Sequence, residues 1–83
     1  MAYRIVYKKS VHRDLKKLDK HEASNILDQI ENYLSEHPLS FPILKGKYSG
    51  LRKYRVGNYR VIYVILGDDV VILRIGDRKE VYK

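Results

Sequence analysis

Apolar residues follow two rhythms along this chain. Tyr3, Ile5 and Tyr7 alternate with Arg4 and Val6, a period of two that predicts a first strand. The spacing then lengthens to three and four. Val11, Leu15 and Leu18 form the stripe of a short helix that Ser10 is placed to cap and that runs to about Leu18. Its other face carries Arg13, Lys16 and Lys17. Asp19, with Glu22 three residues on, resembles a capping box and restarts the helical pattern. Ala23, Ile26, Leu27, Ile30, Tyr33 and Leu34 carry a second stripe to about Glu36, and Pro38 stops it. Two helices joined at a tight break predict an antiparallel hairpin packed on a sheet.

A connecting loop spans Leu39 to Gly50 and contains Lys45 and Lys47. From Leu51 the period returns to two, in three strand-like runs separated by turn signals at Gly57-Asn58 and within Gly67-Asp68-Asp69. The predicted order is β-α-α-β-β-β: one α+β domain over residues 1–83, with a helical hairpin packed on a small, mainly antiparallel sheet. The pattern leaves two points open: which sheet edge takes the first strand, and which face the helices cover.

Gly57-Asn58 suits a two-residue hairpin loop, since both residue types tolerate positive φ. Such a loop sets Val56 opposite Tyr59, Arg55 opposite Arg60, Tyr54 opposite Val61 and Lys53 opposite Ile62. Opposed residues share a face, so Lys53, Arg55 and Arg60 gather on one side of the sheet. Like charges directly across a ladder repel, and an anion between them relieves that. The next turn is Gly67-Asp68 or Asp68-Asp69, which puts Ile75 or Asp77 beside Arg60. In both registers the tail with Arg78 and Tyr82 leaves the sheet at the arginine end. The same face continues with Ile62, Val64, Leu66, Val71 and Leu73, an apolar half that needs a cover.

Composition sharpens this. The charge is +7, from 17 Lys and Arg against 10 Asp and Glu, and favours an anionic partner. Five of the eight tyrosines lie from Tyr48 onward among these cations, a mixture suited to base stacking beside phosphate contacts. The absence of cysteine rules out disulfides and thiolate chemistry and fits a reducing compartment. No run approaches the roughly 20 apolar residues of a membrane span. The start of the chain has no signal-peptide pattern, so a cytoplasmic protein is expected.

His12, His21 and His37 lack metal-ligand spacing, so no metal or other cofactor is expected. There is no Walker-type or dinucleotide-type glycine loop, and no serine stands in a nucleophile elbow. What remains is cationic and phenolic. Lys53, Arg55, Arg60 and Arg78 are suited to hold phosphate and stabilise charge on phosphoryl oxygens. Tyr82, or a lysine crowded by other cations, could act as general base toward a ribose 2′-hydroxyl. RNA supplies its own nucleophile, so this chemistry requires neither metal nor histidine. A purely binding patch fits the same residues.

These residues resemble a family. Leu15-Lys16-Lys17-Leu18, Leu44-Lys45-Gly46, the run Leu51 to Tyr63 with its Arg-Val-Gly-Asn-Tyr-Arg-Val-Ile-Tyr core, and Ile75 to Tyr82 are similar to RelE-type toxins of the RelE/ParE toxin–antitoxin superfamily. The likeness spans the chain. It implies a ribosome-dependent endoribonuclease that cuts mRNA codons in the A site by 2′-hydroxyl attack. The family's catalytic set falls on Lys53, Arg60, Arg78 and Tyr82, with Arg55 at a common basic position beside them. Leu51 replaces a lysine found in some members; Arg52, Lys45 and Lys47 are the nearby cations that could substitute, although Arg52 is expected on the other face. Asp77 stands where many relatives have His. The resemblance also implies a RelB-like antitoxin whose extended segment wraps the toxin. The alternatives are a ParE-like inhibitor that binds gyrase, and a degenerate toxin that binds antitoxin without cutting RNA.

Overall fold

A computed structural model describes residues 2–44, 46 and 50–77. The elements are β1 (Arg4–Tyr7), α1 (Lys9–Lys16), α2 (Lys20–Gln29), β2 (Arg52–Val56), β3 (Tyr59–Leu66) and β4 (Asp69–Asp77). The sheet order is β1-β4-β3-β2. The first strand therefore joins beside β4, in parallel, while β2, β3 and β4 form an antiparallel meander.

The helices cover the face that carries Tyr54. Val11, Ile26, Ile30 and Leu34 pack on Tyr54, Val56, Val61, Tyr63, Val70, Ile72 and Ile75 in one buried cluster. Burying one such aliphatic side chain stabilises by about 1.5–3 kcal/mol, so this cluster is the main source of stability. Tyr63 is fully buried and its hydroxyl donates to the Pro38 carbonyl at 2.6 Å, which satisfies its one polar atom and ties the loop after α2 to the sheet. Tyr33, placed on the apolar stripe by spacing, is instead 47% exposed and stacks at 6.2 Å from Tyr54 at the stripe's edge.

Helix ends differ in detail from expectation. Ser10 does not cap α1; Lys8 holds the N-cap position without a side-chain bond. The Ser10 hydroxyl lies inside the first turn and donates to the Leu73 carbonyl at 2.8 Å. Asp19 caps α2 as expected, accepting from the His21 N–H at 3.5 Å. Beyond Gln29 the helix widens into a π-type turn over Ile30–Leu34, with the Ser35 N–H donating to the Ile30 carbonyl at 3.0 Å.

Both hairpins have two-residue loops. Gly57 and Gly67 stand at φ +60° and +61°, and among the described residues no non-glycine residue has positive φ. Only the first loop residue is therefore left-handed, the type II′ pattern, rather than both residues as Gly57-Asn58 had suggested. Gly67-Asp68 is the second loop, since Leu66 pairs with Asp69. Neither predicted neighbour of Arg60 is the right one. Tyr63 pairs with Ile72, but Ile62 pairs with Arg74 and Arg60 with Gly76. Leu73 is an extra residue, a β-bulge that reverses the facing of everything after it. Ile72 and Ile75 both belong to the core, and an unbroken alternation would seat Arg74 there in place of Ile75.

Candidate functional site

The Lys53 N–H donates away from β3, to the Pro42 carbonyl at 3.2 Å. By alternation the Arg55 backbone also turns outward, which makes Arg55 and Arg60 a non-hydrogen-bonded pair. Such pairs stand about 4.5 Å apart at Cα, the closest side-chain approach in an antiparallel ladder. Like charges directly opposite at this separation are destabilising. The Arg55 guanidinium reaches back along the turn, where Nε donates to the Gly57 carbonyl at 3.2 Å. Arg55 is exposed, while Lys53 and Arg60 are half-buried.

The bulge completes this face. One row across the sheet reads Lys53, Ile62, Arg74; the next reads Arg55, Arg60, Gly76. Glycine offers no side chain beside Arg60. Arg74 is a cation on this face that sequence reasoning missed. The signal was present: a charge between Leu73 and Ile75 in an otherwise apolar strand has to face away from the core. Arg74 is held by Asp14 of α1 through Nε to Oδ2 at 2.9 Å and Nη2 to Oδ1 at 3.2 Å.

Arg52 stands apart from this group. It lies on the opposite face, and its guanidinium donates to the Phe41 carbonyl at 2.8 Å, fastening the loop over the edge of β2. The expected contributions of Lys45, Lys47, Arg78 and Tyr82 fall outside the described residues. Of the expected cations, then, Lys53, Arg55 and Arg60 are brought together and Arg52 is not.

At its other end the same face is apolar and open. Val6 is 36% exposed and Leu66 60% exposed, with Val64 and Val71 half-buried between them. Arg4 and Asp69 pair at its rim, Nη2 to Oδ2 at 2.9 Å. Tyr63 and Tyr54, on the helical face, hold their phenolic protons more tightly than a free tyrosine. Burial pushes the Tyr63 phenol up to about 12, with nearby Arg52 opposing. Burial also raises Tyr54, with Tyr33 adding to it. Among the described residues no group of three or more His, Cys, Asp or Glu could hold a metal ion. No described helix is long and apolar enough to cross a membrane.

The profile of the family described as "ParE toxin of type II toxin-antitoxin system, parDE" matches residues 3–82. Toxin RelE3 of Methanocaldococcus jannaschii is 30% identical over 83 residues, covering 95% of this chain and 94% of that protein. The chain belongs to the RelE/ParE superfamily of type II toxins. Solved structures agree with this. The toxin–antitoxin complex RelBE2 of Mycobacterium tuberculosis contains a chain that superposes with a TM-score of 0.89 at 30% identity, covering 94% of this toxin and all of that chain (100%). The archaeal RelE–RelB complex of Pyrococcus horikoshii gives a TM-score of 0.72 at 28% identity, covering 96% and 99%. Two helices on a four-stranded mixed sheet are thus the superfamily's architecture, as the α+β pattern had implied.

Proposed function

We propose that this toxin is a ribosome-dependent endoribonuclease that cuts mRNA within the A-site codon. The observation that carries the reading is the pairing of Arg55 with Arg60, beside Lys53, on the sheet face the helices leave uncovered. A fold that sets two arginines in the close positions of a ladder gains from an anion between them, and a phosphodiester is such an anion. The similarity to RelE toxins supports RNA as the source of that phosphate.

In this reading Arg60 holds the non-bridging phosphoryl oxygens and stabilises the charge that builds on them. Lys53 or Tyr82 takes the proton from the ribose 2′-hydroxyl, whose oxygen then attacks the adjacent phosphorus. The bond from phosphorus to the 5′-oxygen breaks, and that oxygen receives a proton with help from a neighbouring cation. The products are a 2′,3′-cyclic phosphate and a free 5′-hydroxyl. Arg78 adds positive charge, and Arg55 contacts a flanking phosphate. The toxin acts in the cytoplasm, where ribosomes are.

The apolar end of the same face, from Val6 to Leu66, fits an extended RelB-like antitoxin segment. Binding there would stabilise the toxin by mass action. The family profile carries the name ParE, and it favours a second reading in which the toxin inhibits gyrase by binding it. A degenerate toxin that keeps only antitoxin binding is the third. Primer extension on one mRNA, with purified toxin and with or without programmed ribosomes, separates them. Cuts in A-site codons only when ribosomes are present are expected. No cuts in either tube would defeat the nuclease reading, and a supercoiling assay would then decide between gyrase inhibition and loss of activity.

A further inference from the structure

The bulge in β4 lies where β1 ends. Tyr7 is the last β1 residue to pair, opposite Ile72, so beyond it β4 has lost its parallel neighbour. An edge exposed in this way leaves backbone groups without a ladder partner. The Lys8 N–H, just before the helix, closes the last rung of the β1–β4 ladder by donating to the Ile72 carbonyl at 3.1 Å. Helix α1 takes over from there. The Ser10 hydroxyl donates to the carbonyl of the bulged residue, Leu73, at 2.8 Å. Asp14 Oδ2 accepts the Ile75 N–H at 2.9 Å, while both its oxygens hold the Arg74 guanidinium. Asp14 is only 6% exposed, and both its oxygens are committed to β4. Two residues of one helix, Ser10 and Asp14, thus hold the single extra residue of the strand and the two that follow it.

The bulge has a direct consequence for the cationic face. If the pairing of Tyr63 with Ile72 continued without it, Ile62 would meet Leu73 and Arg60 would meet Ile75. An isoleucine would then fill the place beside Arg60, and Arg74 would turn toward the core. With the bulge, Gly76 stands beside Arg60 and Arg74 joins the cationic face.

We propose that Asp14 and Ser10 are positioning residues for the cationic site: by clamping the β4 bulge from α1, they keep Gly76 rather than Ile75 beside Arg60. Neither residue touches the anion. Their effect passes through the register of β4. The consequence for catalysis rests on the nuclease reading above, whereas the consequence for register does not.

The test uses the full-length toxin carrying Asp14→Ala, Asp14→Asn or Ser10→Ala, with two readouts. The first is NMR: cross-strand NOEs between Val61 and Ile75 report the β4 register, and those between Tyr54 and Val61 serve as the internal control on β2 and β3. In Asp14→Ala the Val61–Ile75 NOEs should be lost or broadened while the Tyr54–Val61 NOEs persist. Asp14→Asn keeps an acceptor for the Ile75 N–H but not the ion pair, and should fall between. The second readout is single-turnover cutting on programmed ribosomes, compared with ribosome binding. Cutting by Asp14→Ala should fall about tenfold or more with binding within twofold, and Asp14→Asn should recover part of the rate. If Asp14→Ala fails to fold, Asp14→Asn and Ser10→Ala decide, each with a weakened Val61–Ile75 contact as the expected result. Unchanged Val61–Ile75 NOEs in every folded variant would overturn the proposal. So would a lost register with cutting at the wild-type rate. Should wild-type toxin itself cut nothing, the nuclease reading fails, and the NOE comparison alone settles the positioning claim.

Discussion

On one face of the sheet Val61, Tyr63, Val70 and Ile72 are all fully buried beneath two helices; on the other, Leu66 is 60% exposed and one arginine stands across from another. The same three hairpin strands supply both faces, and alternation alone separates them. The first face satisfies each requirement of a stable core. Its side chains are largely apolar, and its two buried phenols, Tyr54 and Tyr63, each donate to a carbonyl oxygen, of the Gln29 side chain and of Pro38. The second violates those requirements at both ends, by like charge at one and by uncovered apolar surface at the other. Places where a fold departs from local rules are where function is to be sought.

The two Arg–Asp pairs repeat the contrast at the scale of single residues. Arg4 with Asp69 and Arg74 with Asp14 have nearly equal shortest distances, 2.9 Å in each. The first pair lies in solvent at the rim, with Arg4 76% exposed, whereas Asp14 is enclosed and also accepts a backbone N–H. Equal geometry does not mean equal consequence, because in the second pair the carboxylate is shielded from water and only the arginine side remains open.

This contrast can be broken by substitution. The largest expected loss of stability is on the helical face. Ile72→Ala should cost about 2–5 kcal/mol, read as a lower denaturant midpoint, and should remove activity together with the fold. On the cationic face, Arg60→Ala should lower cutting by about a hundredfold or more and leave the fold intact, since a phosphate contact carries no core packing. An unfolded Arg60→Ala protein would make this arginine structural. Tyr82→Phe should slow cutting by about tenfold to a hundredfold while ribosome binding holds. Equal losses in both would mark Tyr82 as a docking residue.

A pH titration sharpens the account of the core. Burial raises the folded Tyr63 phenol to about 12, above its ordinary value near 10. The unfolded chain releases that proton first, so stability is complete below about pH 10 and falls as pH rises toward 12. In Tyr63→Phe that part of the alkaline slope should disappear from urea midpoints measured across this range. The smallest effect is expected from Arg4→Ala, whose exposed pair with Asp69 should leave the melt almost unmoved.

Much of this was legible in the chain. The Gly57-Asn58 hairpin fixed the Arg55–Arg60 pairing because a two-residue loop leaves no freedom of register. The helical stripe through Ile26, Ile30 and Leu34 was equally plain from its spacing. The β4 register was not, because it depends on one unpaired residue, Leu73, held by a helix some sixty positions earlier in sequence. Strand period cannot report a contact of that range. The three-residue spacing of Ile72 and Ile75 around Arg74 was the local hint. Ser10 illustrates the same limit: read locally it is a cap, and in the fold it is a clamp on β4.

The central claim is that the uncovered cationic face performs chemistry instead of supporting the fold. The most direct test is codon cutting on programmed ribosomes by Arg60→Ala beside wild-type toxin, at a temperature where both melts show a fully folded protein. The account predicts A-site cuts by wild type and at least about a hundredfold fewer by the variant. Cutting by folded Arg60→Ala at the wild-type rate would contradict it.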